Sequence, residues 1–247
     1  MASQGLPEPV VEYYRDEKNI TRLHAWQAEC LSTPGVSDGG KNLVYCAPTS
    51  GGKSIVADIL LMKRLVADGF GGKRREKNAV AADRGGNLAI IVLPFISLCD
   101  ERANELAKLL KLIHVDVKRF YGGRGGALPP RDSKERVLLV CTPEKANDVV
   151  SKLIEDDRVR DLAAVVVDEL HMVQDESRGS TLELMLTKLL FASSKAAAAA
   201  IAAENVSPSS DGGDGGKGAG SREPLSASSR GSKSAAAAAA AAKRTPQ

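Results

Sequence analysis

Ala47-Pro48-Thr49-Ser50-Gly51-Gly52-Lys53-Ser54 stands between an apolar run, Asn42-Leu43-Val44-Tyr45-Cys46, and a segment with apolar residues at helical spacing, Ile55, Val56, Ile59, Leu60 and Leu65. The eight residues fit A-x-x-x-x-G-K-S, a P-loop with alanine in first place. A triphosphate needs several inward-pointing donors and a cation. Gly51 and Gly52 let backbone N–H groups face phosphate oxygens without side-chain clashes. The helix expected over Ser54 to Val66 points its positive end at the same place. Lys53 suits the β- and γ-phosphates, and the Ser54 hydroxyl suits Mg²⁺. The expected ligand is ATP with Mg²⁺.

The same rhythm continues along the chain. Leu88 to Leu93 is a strongly apolar strand, and Ile96 to Leu112 has a helical stripe of Leu106, Leu109, Leu110 and Ile113. His114 to Phe120 alternates as a strand, and Gly122 to Arg136 is a loop with Pro129-Pro130. Val137 to Cys141 and Ala163 to Val167 are further buried strands. Pro143 to Glu155 is a helix that opens on proline and an acidic residue. Thr181 to Phe191 is the last expected helix. Upstream, Pro7 to Glu17 and Thr21 to Leu31 read as short helices, followed by a turn-rich loop over Pro34 to Lys41. Short apolar strands alternating with helices predict an α/β fold with a mainly parallel sheet flanked by helices. Ligands of such sheets bind beyond the carboxyl ends of the strands.

A second motif falls at such an end. Asp168-Glu169-Leu170-His171 follows the Ala163 to Val167 run at once. Two carboxylates there can divide the labour. Asp168 would hold Mg²⁺, and Glu169 would orient and deprotonate an attacking water.

Composition bounds the rest. The chain has 247 residues and a formal net charge of +3, from 34 Lys and Arg against 31 Asp and Glu. That balance permits nucleic-acid binding without arguing for it. No stretch approaches the roughly 18 apolar residues of a membrane span, and no secretory pattern opens the chain, so it reads as soluble and intracellular. Cys30, Cys46, Cys99 and Cys141 have no C-x-x-C spacing and read as small buried hydrophobes. The run Lys73-Arg74-Arg75-Glu76-Lys77 lies in a polar stretch over 70–86 and reads as part of a solvated insertion. From about Ser193 the chain turns to Ala, Gly and Ser, which predicts a disordered tail over 193–247. The foldable domain is then 1–192, with 6–41 as an N-terminal helical region.

The combination resembles superfamily 2 helicases with a D-E-x-H box, more narrowly the helicase Q group and the related helicase domain of DNA polymerase theta. The P-loop and D-E-x-H turn carry the likeness, with Trp26-Gln27-Ala28-Glu29-Cys30, Leu93-Pro94-Phe95, Thr142-Pro143-Glu144-Lys145-Ala146-Asn147, Ser177-Arg178-Gly179 and Thr181-Leu182-Glu183. Gly51-Gly52 and Pro129-Pro130 lean towards helicase Q. The resemblance implies a RecA-like domain, the first of two in an ATP-dependent DNA helicase of DNA repair, in the nucleus, acting on single-stranded or forked DNA. It implies that Gln27 reads the adenine edge, which suits an amide. It gives nucleic-acid contacts to Pro94, Phe95, Thr142, Pro143 and Glu144, and a role in coupling the two sites to His171. By their residues alone, Pro94-Phe95 reads first as a strand end that packs the core, and Thr142-Pro143-Glu144 first as a helix cap.

One departure stands out. Neither a Ser-Ala-Thr segment nor a Gln-x-x-Arg-x-x-Arg run follows Leu190, so the second RecA-like domain is expected from outside these residues. The alternatives are a nucleotide-binding interaction fragment without motor activity, and an RNA helicase of the same superfamily.

Overall fold

Leu88-Ala89-Ile90-Ile91-Val92 forms β1 (Leu88–Val92), and all five residues are buried in the computed structural model of the chain. The structure describes residues 4–37, 39–48, 51–66, 86–131 and 133–204. A strand buried on both faces must lie inside a sheet. β1 pairs in parallel with β3 (Arg136–Cys141) on one side and β4 (Leu162–Val167) on the other. β2 (Val115–Phe120) pairs in parallel with β3, giving the order β2-β3-β1-β4. The expected parallel α/β architecture is present.

Strand periodicity divides the core. Ala89, Ile91, Leu138 and Val140 face one layer, packed with Val56, Ile59 and Met62 of α3 (Lys53–Leu65) and Ala103, Leu106 and Leu110 of α4 (Ile96–Lys111). Their neighbours Leu88, Ile90, Val137 and Leu139 face the other layer. There they meet Ala146, Val150 and Leu153 of α5 (Pro143–Glu155) and Leu182 and Met185 of α6 (Gly179–Glu204). Alternate residues of one strand therefore anchor helices on opposite faces. α5 has the bounds expected from its sequence.

The N-terminal region joins the first layer through charge as well as packing. It comprises α1 (Glu8–Glu12), a short π-helix over Tyr13–Glu17 and α2 (Ala25–Ser32). The Tyr14 hydroxyl donates to Asp58 Oδ2 at 3.3 Å. Arg102 pairs with Asp58 and Glu105, and Lys18 pairs with Glu105. Asp58 is buried, so its charge depends on Arg102 for compensation. This network ties the N-terminal region, α3 and α4 together.

Several expectations need correction. Asn42 to Cys46 forms no strand. Leu43 and Tyr45 pack on the core while Val44 is 78% exposed, and no ladder partner among the described residues holds the segment extended. β4, expected to be buried, is half-buried at every residue, because it is an edge of the sheet among the described residues. The second helix begins at Ala25 rather than Thr21. The last helix does not stop at Phe191 but runs to Glu204, so a boundary at 192/193 cuts through it. Alanine has the highest helix propensity, and a run that lacks core-forming side chains can still continue an anchored helix. Cys99 and Cys141 are buried as expected, but Cys30 is only partly covered and Cys46 is exposed. Most of the expected insertion at 70–86, and of the expected disordered tail, lies outside the described residues. No helix among the described residues is long and apolar enough to cross a membrane.

Candidate functional site

α3 begins at Lys53, immediately after a tight turn. The Gly51 N–H donates to the Pro48 carbonyl at 3.0 Å, and Gly52 has φ 77°, a left-handed conformation that glycine adopts without strain. Among the described residues no side chain caps α3, which leaves its first N–H groups facing outward for a ligand. Ala47, Pro48, Gly51, Gly52, Lys53 and Ser54 are thus placed around the opening of one helix. Thr49 and Ser50 lie outside the described residues.

Across the sheet, β4 ends at Val167 and delivers Asp168 to the same place. Lys53, Ser54, Asp168, Tyr45 and Arg102 line one cavity of about 30 Å³. That space suits about one water. The Tyr45 hydroxyl donates to the Lys53 carbonyl at 2.8 Å. Burial, reinforced by the negative charge of Asp168, pushes the Tyr45 phenol up to about 12. Tyr45 is therefore a neutral donor that braces the start of α3.

The acidic turn is strained. Glu169 has φ 53° and ψ 48°, which costs a non-glycine residue about 1–2 kcal/mol. Its N–H donates to Asp168 Oδ1 at 3.0 Å. His171 is exposed, with its Nδ1 3.2 Å from Glu169 Oε2. The turn thus directs Asp168 towards the P-loop and joins Glu169 to His171.

Gln27 is 3% exposed and committed at both ends. Its Oε1 accepts from the His24 N–H at 2.8 Å, and its Nε2 donates to the Gly52 carbonyl at 2.9 Å. The residue expected to meet adenine also links α2 to the P-loop. Its amide keeps one further N–H and one further lone pair.

Of the expected nucleic-acid contacts, Phe95 and Glu144 are exposed, while Pro94, Thr142 and Pro143 are buried. Thr142 occupies the N-cap position of α5 but makes no side-chain cap bond. Arg178 reaches both segments. Its Nη1 donates to the Pro94 carbonyl, its Nε lies 3.3 Å from Glu144 Oε1, and its Cζ stands 5.8 Å from the Phe95 ring centroid. Sequence reasoning aligned Arg178 with a motif but gave it no work, and it passed over Tyr45 and Arg102 as site residues. Tyr45 had one local signal, its position two residues before the P-loop.

Metal donors are sparse. Among the described residues no group of three or more His, Cys, Asp or Glu could hold an ion. One hydroxyl and one carboxylate at a phosphate site still fit Mg²⁺, which keeps waters and takes phosphate oxygens.

DNA polymerase theta of Mus musculus is 38% identical over 197 residues, which cover 80% of this chain and 7% of that protein. The helicase POLQ-like protein of Drosophila melanogaster is 34% identical over 187 residues, covering 76% of this chain and 16% of that protein. The ATP-dependent DNA helicase Hel308 of Methanocaldococcus jannaschii is 28% identical over 182 residues, covering 74% and 14%. The chain spans less than a fifth of the length of each. These identities do not favour helicase Q over the polymerase, as Gly51-Gly52 and Pro129-Pro130 suggested. A crystal structure titled DUF1998 helicase MrfA shares the fold, with a TM-score of 0.50 and 16% identity over 76% of this chain and 28% of that one. A family model described as DEAD/DEAH box helicase matches residues 26–205. That span opens one residue before Gln27 and closes one residue after α6, taking in the P-loop, the acidic turn and both segments held by Arg178, and so the chain belongs to the DEAD/DEAH box helicases.

Proposed function

We propose that these residues form the ATP-binding first motor domain of a DNA helicase that acts in DNA repair in the nucleus. The observation that carries the reading is the convergence of Lys53, Ser54 and Asp168 on one cavity at the carboxyl end of a parallel strand. Lys53 and the uncapped N–H groups of α3 bind the β- and γ-phosphates. Ser54 and Asp168 hold Mg²⁺, which when bound offsets phosphate charge. Glu169 orients water and accepts its proton. Gln27 meets adenine through the donor and acceptor left over from its internal bonds.

Phe95 and Glu144 stand at the surface where Pro94-Phe95 and Thr142-Pro143-Glu144 meet a nucleic-acid backbone. Single-stranded or forked DNA is favoured over RNA because relatives at comparable coverage are named as DNA polymerase and DNA helicase. A second RecA-like domain, from outside these residues, completes the cleft.

The test is binding of Mg-ATP to the chain and to its Lys53→Ala variant by titration calorimetry, with oligodeoxynucleotide and oligoribonucleotide compared by anisotropy. Lys53→Ala should abolish nucleotide binding. Unchanged affinity in that variant sinks the P-loop assignment, and preference for the ribonucleotide sinks the DNA assignment.

A further inference from the structure

Arg178 lies at the far end of a run of turns that begins at the acidic residues. The Met172 N–H donates to the Glu169 carbonyl at 2.9 Å, and the Asp175 N–H donates to the Met172 carbonyl at 3.0 Å. Asp175 Oδ1 then accepts from the Arg178 N–H at 2.9 Å, and also from the N–H and hydroxyl of Ser177. The path from Glu169 to Arg178 therefore runs through three successive hydrogen bonds. Close approach supports it from below. A Cβ on Gly179 would lie 2.3 Å from the Val173 carbonyl oxygen, so the turn over Leu170–Gln174 is pressed against the start of α6.

At the other end of the path, the guanidinium touches both expected nucleic-acid segments. It donates to the Pro94 carbonyl, lies over Phe95 and pairs with Glu144. A planar fork can meet a carbonyl, a ring face and a carboxylate together, whereas an ammonium cannot. The stability of α6 does not require it, because Leu182 and Met185 bury that helix in the core. The ion pair itself is weak, with the side chains 38% and 49% exposed. The arrangement suits a device that fixes geometry better than one that adds stability.

We propose that Arg178 is a positioning residue that couples the acidic turn to the nucleic-acid surface. Movement of Asp168-Glu169 on nucleotide binding is carried through Met172 and Asp175 to Arg178. Arg178 then resets the spacing between Phe95 and Glu144. The inference rests on the ATP and DNA reading above, and adds the physical link between its two sites.

The experiment uses the full chain with Arg178→Ala and Arg178→Lys variants. Affinity for a labelled oligothymidylate is read by anisotropy with and without a non-hydrolysable Mg-ATP analogue. In the wild type the analogue should change that affinity about tenfold. In Arg178→Ala the ratio should fall to about one, while affinity for the analogue alone stays within about twofold, and Arg178→Lys should not restore the ratio. A ratio that persists in Arg178→Ala, or that is absent from the wild type, overturns the coupling. Failure of the wild type to bind the analogue at all overturns the reading of the site instead. Amide hydrogen exchange without ligand decides the link independently. Removing the guanidinium should speed exchange at both 95–98 and 144–146, and unchanged exchange at either overturns the proposal.

Discussion

Gly52→Ala puts a methyl group where the P-loop meets Gln27. The new Cβ would lie 2.6 Å from Gln27 Nε2, at a residue whose φ is 77°. Two costs follow. Holding alanine in the left-handed region costs about 1–2 kcal/mol. The Gln27 amide must also retreat from the Gly52 carbonyl, and it is 3% exposed, so it cannot turn to solvent. A buried donor left unpaired costs about 1–3 kcal/mol. The sum is roughly 2–5 kcal/mol of stability.

The two costs separate in a double-mutant cycle. In a Gln27→Ala background the clash is gone, and Gly52→Ala should cost only the backbone strain of about 1–2 kcal/mol. Trp26 is the single tryptophan, and its ring lies 5.9 Å from that of Tyr45, so its fluorescence reports unfolding in urea at the site itself. Equal losses in both backgrounds would refute the steric link between Gln27 and the P-loop. No loss in either would also refute the left-handed turn.

Three further outcomes are expected. Glu169→Gln in a motor completed by its second domain should keep nucleotide affinity and lose hydrolysis, and normal turnover would remove Glu169 from the base role. Asp175 sits below its usual carboxylate range because the Ser177 hydroxyl and the N–H groups of Arg178 and Ser177 donate to it. A lowered folded value stabilises above the unfolded pKa, and that contribution is lost as pH falls through the lowered value. NMR signals of the Ser177 and Arg178 amides should therefore hold at about pH 5 and shift only in stronger acid, and a shift centred above the ordinary Asp range would contradict these hydrogen bonds. Cys46 is exposed, while burial and the Asp100 charge push the Cys99 thiol up to about 11, and burial raises Cys141 further. Iodoacetamide at mildly alkaline pH should mark Cys46 in the folded chain and reach Cys99 and Cys141 only after denaturation, as read by mass spectrometry.

The sequence carried the central architecture because local pattern and burial agree there. β1 and β3 are unbroken apolar runs, and α5 opens on Pro143 with Glu144 behind it. The glycine turn before α3 and the acidic turn after β4 stand at the element boundaries that their residues predicted. Pattern failed where structure depends on a partner. Asn42 to Cys46 has the composition of a strand, but hydrogen bonds to a neighbour make a strand, and none of the described residues supplies them. Composition suggested disorder after Ser193, yet alanine needs only an anchored helix to continue. Arg178 and the Asp58–Arg102 pair join elements remote in sequence, and no local spacing encodes such contacts.

β4 pairs with β1 alone among the described residues, and Asp168 is the next residue in the chain. An edge strand presents backbone N–H and carbonyl groups along its open side, although in β4 the Ala163 carbonyl already accepts from Arg64 Nε at 3.4 Å. Any strand recruited to that side would draw on those groups and set the twist at which Val167 hands over to Asp168. The acidic turn of the candidate site is therefore open to adjustment from the flank, by backbone pairing, without any ligand entering the cavity.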